Sequence, residues 1–178
     1  MTAAGASVLP AQQALPDAPV RRGTLAFDAR ATLGDFTGTT DSVRGSMTGG
    51  AGLTAVRGWV EGPVTSFRTG NGRRDKDLNK SMESDIYPTI RFQLDSVETV
   101  WERGDSAEVV LNGRFTIHGV TRPERFNALV HRGTDGIRVT ARIPMNVKDY
   151  KVGGLSKFLG TLKMNPEIVV RVDVTFGG

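Results

Sequence analysis

Apolar and polar residues alternate with a period of two through most of the chain after Arg21. This period is typical of β-strands that bury one face. The clearest run covers residues 109–118, where Gly113 would allow a long strand to bend. Short turns rich in Gly, Asp and Asn separate the runs, which predicts antiparallel neighbours. The inward-facing positions are predicted to be Phe27, Val56, Val60, Ile90, Phe92, Val109, Leu111, Phe115, Ile117, Val139, Ile143, Met145, Val170 and Val172.

Two segments instead have the three- to four-residue period of an amphipathic helix. The first covers residues 75–86, with Asp75 or Asp77 as its predicted cap, and the second covers residues 155–162. Both are predicted to be short helices that lay an apolar stripe on the strands. The stripe of the first helix consists of Leu78, Met82 and Ile86.

Seven or eight strands that each have one apolar face must hide that face by stacking or by closure. A sandwich and a closed barrel would both do so, and the long bent strands favour the barrel. We therefore predict an all-β protein, an antiparallel eight-stranded barrel with two short amphipathic helices near its ends. A barrel of this size can hold one small or elongated ligand, or be filled by its own side chains. Residues 1–21 are predicted to be a flexible leader, and residues 22–178 the barrel domain.

Composition excludes several classes of function. The 178 residues include no cysteine, which excludes disulfides, thiolate metal sites and a cysteine nucleophile. Two histidines alone cannot form a three-histidine metal site. No stretch has the 18 apolar residues of a membrane helix, and residues 1–20 lack the features of a signal peptide. Aromatic residues make up only 7% of the chain, which argues against a stacking platform for nucleic acid.

The net charge of +4 favours anionic partners in general but identifies none. Four lysines surround the second predicted helix with one aspartate to balance them. A transient contact with a membrane surface is therefore an alternative to a simply solvated basic face. These lysines are Lys148, Lys151, Lys157 and Lys163.

Few side chains are candidates for chemistry. His118 follows the long strand, where it could act as a general base or tie the strand end to neighbouring backbone; the second role is favoured. His131 lies in a turn and is expected to be exposed. Arg73 and Arg74 stand at a predicted helix start, where backbone N–H groups can receive an anion. No catalytic residue and no metal ligand is predicted.

Two segments resemble a known family. Residues 75–92 join an Asp-Lys-Asp-Leu helix to a Tyr-Pro-Thr-Ile-Arg-Phe strand, and residues 112–123 read Asn-Gly-Arg-Phe-Thr-Ile-His-Gly-Val-Thr-Arg-Pro. Both are similar to hallmarks of the YceI-like family, in the same order and at a fitting separation. The resemblance implies a lipocalin-like barrel that encloses a polyisoprenoid such as a prenyl quinone or prenyl phosphate. It also implies a bacterial, periplasmic or secreted binding protein that is no enzyme and requires no cofactor beyond the bound lipid.

Because of this resemblance, we interpret the inward side chains as the lining of a cavity that binds a long-chain lipid. Arg73, Arg74 and His118 are weaker candidates for contact with its headgroup. An enzyme that acts on a small lipid, with His118 as base, and a filled barrel whose surface binds a protein are the alternatives; a homodimer is left open and nucleic acid is not expected. The predicted cavity lining consists of Phe27, Val56, Val60, Leu78, Met82, Ile86, Tyr87, Ile90, Phe92, Leu111, Phe115, Ile117, Val139, Ile143 and Met145.

Overall fold

The computed structural model describes residues 14–154 and 163–177. Within them the chain forms strands throughout, with one α-helix, α1 (Gly72–Ser81), between the fourth and fifth strands. The described residues contain no helix with the length and hydrophobicity of a membrane-spanning segment. Short 3₁₀ turns lie at Leu53–Ala55, Val64–Ser66 and Val147–Tyr150. The strands are β1 (Ala18–Ala31), β2 (Phe36–Thr40), β3 (Arg44–Thr48), β4 (Arg57–Pro63), β5 (Thr89–Arg103), β6 (Ser106–Ile117), β7 (Val120–Gly133), β8 (Gly136–Asn146) and β9 (Met164–Phe176).

The strands close into a barrel with eight positions. Strands β3 to β9 pair in chain order, and β1 closes the ring by pairing with β9 along most of its length. β1 also pairs with β2 through residues 25–29 and with β3 through Ala18 and Pro19, so β2 and β3 fill one position in succession. All these pairings are antiparallel. The prediction of an all-β, eight-stranded antiparallel barrel is confirmed.

The period-two alternation of the sequence becomes the two faces of the barrel wall. On β6 the inward Val109, Phe115 and Ile117 are buried in one continuous apolar cluster. The outward Arg114 lies between them in sequence, and its guanidinium donates to both carboxylate oxygens of Asp95 on β5 at 2.8 and 2.9 Å. A slip of one residue in register would bring the arginine into the core, so the pattern fixes the pairing.

The hairpin between β6 and β7 turns in two residues. His118 and Gly119 have φ values of 50° and 72°, and Ile117 pairs with Val120 across them. Positive φ at both central positions is the type I′ geometry that suits the twist of a hairpin. The ring of Tyr87 occupies the space that a Cβ atom at Gly119 would need. Both the turn and this packing therefore require glycine.

Helix α1 begins and ends earlier than residues 75–86, the predicted range. Its N-cap is Asn71 rather than Asp75 or Asp77, because the Asn71 side-chain oxygen accepts two N–H groups of the first turn at 3.0 and 3.1 Å. The helix ends before Glu83, whose φ of 45° is left-handed. The second predicted helix, residues 155–162, falls outside the described residues.

The barrel also begins before residue 22, the boundary predicted from the sequence. Leu15 and Gly50 exchange two backbone hydrogen bonds of 2.8 and 3.0 Å. Ala18 is buried and starts β1. The last residues of the predicted leader therefore belong to the fold, because their backbone groups pair with the segment that follows β3. Residues 1–13 are outside the described range.

We predict that Gly113→Ala on β6 destabilises the barrel by about 1–3 kcal/mol, because a close-packed site cannot take an extra methyl group without strain. A Cβ atom at Gly113 would overlap the carbonyl oxygen of Gln93 and the ring of Phe92. Gly72→Ala is the matched control, since no heavy atom lies within 4 Å of its Cβ position. Urea unfolding measures both free energies, and an equal effect of the two substitutions would contradict the prediction.

Candidate functional site

The inward side chains leave a cavity of about 210 Å³ along the barrel. Its lining is almost entirely aliphatic and aromatic, and it draws on β1 and on β3 to β9. Arg57 is the one charged residue among the described lining residues, and its guanidinium donates to the backbone oxygens of Thr54 at 3.1 Å and Val56 at 2.8 Å. That guanidinium is thus bonded to its own loop. Such a cavity favours an apolar molecule, because a polar group would lose its water without gaining a partner.

Most of the predicted cavity residues lie in this lining. Ile143 is not in the lining and is instead buried in the hydrophobic core. Binding of a ligand by the others stays a prediction. The residues placed in the lining are Phe27, Val56, Val60, Leu78, Met82, Ile90, Phe92, Leu111, Phe115, Ile117, Val139 and Met145.

Ile86 and Tyr87 lie outside the lining, which corrects the position we predicted for them. The four-residue spacing holds for Leu78 and Met82, which line the cavity, and ends with the helix. Beyond the left-handed Glu83 the chain turns away, and Ile86 is 65% exposed. Tyr87 packs edge-on against His118, with 4.9 Å between the ring centroids.

Several lining residues come from segments without a strand period. Leu15 precedes β1, Leu53 lies in a 3₁₀ turn, and Val64 and Phe67 lie between β4 and α1. All four are buried. Alternation could not identify them because no regular element orients their side chains. Their only signal is that each is a large apolar residue within a polar or Gly-rich connection.

Three phenylalanines on adjacent strands form an aromatic cluster in the cavity wall. Phe92, Phe115 and Phe126 come from β5, β6 and β7, and their ring centroids are 4.8 to 6.1 Å apart. Tilted contacts at this range are favourable for aromatic pairs. The cluster gives one side of the cavity a rigid, polarisable surface against which methyl groups and flat rings can pack.

The two ends of the cavity are built from different segments. At one end, which we call the α1 end, Leu78 and Met82 lie over the cavity. Leu15, Leu53 and Val56 line the opposite end. The antiparallel order of the strands places four connections and one strand start at the α1 end. They are residues 32–35, 64–88, 118–119 and 147–154, with Lys163.

None of the three headgroup candidates is in the cavity lining. The Arg74 guanidinium lies 4.3 Å from the centroid of the Phe36 ring and donates to the backbone oxygen of Thr69 at 2.9 Å. Arg74 is thus engaged in holding α1 to β2. Arg73 is exposed on the first turn of α1.

His118, the third candidate, joins three segments of the α1 end. Its Nδ1 lies 3.2 Å from the backbone oxygen of Tyr150, and its Nε2 lies 2.5 Å from a carboxylate oxygen of Glu83. A carbonyl oxygen can only accept, so Nδ1 carries the proton of that bond. The side chain is 9% exposed. Both ring nitrogens therefore have hydrogen-bond partners. Through them His118 links the β6–β7 hairpin to the loop that follows α1 and to the 3₁₀ turn at Val147–Tyr150.

The side chain of Tyr150 links the same 3₁₀ turn to β7. Its side chain is fully buried, and its hydroxyl donates to a carboxylate oxygen of Glu124 at 3.0 Å. Burial, together with the nearby negative charge of Glu124, raises the pKa of the Tyr150 hydroxyl well above its ordinary value of 10.0.

Comparison with protein families gives one match. The model of the YceI-like domain matches residues 19–176, which is nearly the whole barrel. Comparison with curated proteins gave no match.

Several solved structures share the fold. A domain from Saccharophagus degradans, described as a polyisoprenoid binding domain implicated in plant cell wall breakdown, has a TM-score of 0.77 at 16% identity, covering 92% of this chain and 99% of that one. BcnA of Burkholderia cenocepacia has a TM-score of 0.73 at 13% identity, covering 85% and 94%. The YCEI protein of Campylobacter jejuni has a TM-score of 0.55 at 18% identity, covering 68% and 72%. The lipocalin-like fold predicted from the sequence is confirmed.

We predict that His118→Asn lowers the free energy of unfolding by about 1–3 kcal/mol, the range for lost hydrogen bonds that involve a charged group. Asparagine tolerates the positive φ of this turn, so the loss reports the bonds to Glu83 and Tyr150 together with the ring contact to Tyr87. His131→Asn is the control. His131 is exposed and bonds to Ser106, and we expect a change within about 0.5 kcal/mol. An equal loss of unfolding free energy in the two variants, measured by denaturant unfolding, would refute the proposal that His118 stabilises the α1 end through these bonds.

Tyr150 gives a pH-dependent prediction. Its pKa is raised in the folded state, so the unfolded state loses the hydroxyl proton first when the pH rises above 10.0. The stability that the neutral buried hydroxyl provides is complete below that pH and falls above it, by at most about 1.4 kcal/mol per pH unit. Tyr150→Phe should therefore show a shallower loss of melting temperature between neutral and alkaline pH than the unsubstituted protein. Parallel curves for the two proteins would exclude this effect.

Proposed function

The chain belongs to the YceI-like family, and we propose that its barrel binds a long apolar lipid and sequesters or carries it. The observation that carries the proposal is the cavity, whose lining is almost entirely aliphatic and aromatic. Each methylene transferred from water into such a lining contributes roughly 0.8 kcal/mol, before the cost of ordering the chain is subtracted. A hydrocarbon chain can therefore be held without a charged contact.

A polyisoprenoid, such as a prenyl quinone or prenyl phosphate, is the lipid that we propose. The support is the family resemblance and the likeness of the fold to a domain described as polyisoprenoid binding. The cluster of Phe92, Phe115 and Phe126 suits a chain with regularly spaced methyl branches, which pack against ring faces.

We propose that the headgroup stays near solvent, because the cavity offers it no free charged partner. Arg57 is bonded to its own loop, and Arg74 is engaged with Phe36 and Thr69. At the α1 end Arg73 is exposed and can meet an anionic headgroup outside the barrel. Selection of the lipid would then rest on the length and girth of its chain.

We further propose a binding protein rather than an enzyme. An enzyme with His118 as general base would need a ring nitrogen directed at a substrate. Here one nitrogen faces Glu83 and the other faces the backbone oxygen of Tyr150. The periplasmic or secreted location and the absence of any required cofactor stay predictions, and a homodimer is left open.

The test is to identify the lipid that copurifies with the protein by native mass spectrometry, followed by extraction. We expect Val139→Trp to lose most of that lipid, because the indole would occupy the cavity from its place in the lining on β8. Thr140→Trp is the matched control, since Thr140 is the next residue on the same strand and faces outward. It should retain the lipid.

Both variants must first show the circular dichroism of the folded barrel. Equal lipid content in folded Val139→Trp and in the unsubstituted protein would refute the cavity as the binding site. A protein purified from its source organism without any lipid would refute the proposed function.

A further inference from the structure

The lysines of this protein are gathered in two short stretches of the sequence. All six lie in residues 76–80 and 148–163. Five belong to the described residues, and all five are exposed at the α1 end. In the described part of the chain none of these five forms an ion pair. They are Lys76, Lys80, Lys148, Lys151 and Lys163.

Cationic residues on the barrel wall, unlike these lysines, mostly have carboxylate partners. Its arginines are commonly bonded to carboxylates on neighbouring strands. Arg114 binds Asp95, and Arg138 binds Asp173 through both oxygens at 2.8 and 2.5 Å. These bonds lower the pKa of the Asp95 and Asp173 carboxyls. Wall charges thus neutralise one another, whereas the lysine charges at the α1 end stay directed to solvent.

The carboxylates of the α1 end do not cancel this charge. The described residues of that end include eight basic and six acidic side chains. Asp75 accepts hydrogen bonds from the backbone N–H and the hydroxyl of Thr69 at 2.9 and 2.6 Å, and Glu83 is bonded to His118. Eight basic side chains against six acidic ones leave the described part of this end with a net positive charge.

Two large apolar side chains are exposed at the same end. Leu33 lies in the turn between β1 and β2 and is 79% exposed; Ile86 lies before β5 and is 65% exposed. Single exposed apolar residues need no explanation by themselves. Here they accompany unpaired lysines at a cavity end, and lysines beside apolar side chains are typical of surfaces that rest on a bilayer interface.

We propose that the α1 end docks onto an anionic lipid bilayer, with the lysines against the headgroups and Leu33 and Ile86 in the interface. Basic residues near an anionic bilayer each add to the attraction, which extends about one Debye length from the surface. Docking would bring the end covered by Leu78 and Met82 to the membrane. The role of docking in transfer of the cavity lipid rests on the proposed function. The electrostatic contact with the bilayer does not depend on that function.

The test measures flotation of the purified protein with phosphatidylcholine vesicles, with and without phosphatidylglycerol, at low and high salt. We expect binding to the anionic vesicles only, and release at high salt. Lys76→Glu with Lys148→Glu should weaken this binding at least about tenfold, because two attractive charges become repulsive. The control is Arg21→Glu with Arg103→Glu, the same change in net charge at the opposite end, where both arginines are exposed. It should bind like the unsubstituted protein.

Three outcomes would overturn the proposal. They are no binding to anionic vesicles at low salt, equal loss in the two double variants, and salt-sensitive binding to an acidic protein such as polyglutamate without binding to vesicles. Lipid content is measured on the same samples by native mass spectrometry. Protein purified from its source organism that is lipid-free and still docks would refute the proposed function alone, and lipid-loaded protein that fails to dock would refute docking alone.

Discussion

Pairing of β1 with β9 closes the sheet into a barrel and creates its interior. An open sheet of these strands would leave two unpaired edges and an apolar face in water. Pairing from Val20 to Ala31 on β1 with Phe176 to Met164 on β9 removes the edges and turns the apolar face into an interior. The cavity is a consequence of that closure, because a ring of eight strand positions is wide enough that its side chains need not fill it.

The outward and inward faces of the barrel wall have separate roles. Outward Arg–carboxylate pairs such as Arg114–Asp95 add little stability each, because exposed ion pairs are worth at most about 1 kcal/mol. They do oppose slippage, since a shifted strand would bury the charges. Inward residues supply the burial that stabilises the fold, and their lack of polar groups makes the interior suitable for a hydrocarbon. Stability and the proposed binding thus depend on the same alternation.

The sequence predicted the parts of the molecule that follow a regular period. Phe92, Phe115 and Val139 could be placed in the lining because strand side chains alternate strictly between the faces. Ile86 was misplaced because its spacing continues the helix stripe, whereas the left-handed Glu83 ends that stripe. The partners of His118 could not be predicted, because Glu83 and Tyr150 approach it from segments distant in the chain and only tertiary packing brings them together.

The wall and the α1 end differ in how firmly they are held. Most wall strands are bonded to neighbours on both sides by backbone ladders, although β2 has a ladder with β1 alone, so separating two such strands would break many hydrogen bonds at once. Helix α1 buries no residue completely and is held by side chains, among them Arg74 on Phe36 and Asp75 on Thr69. Local opening costs least where few buried contacts are lost. Under the proposed function, the α1 end is therefore an easier route into the cavity than a separation of laddered wall strands, and the five described lysines lie at that end.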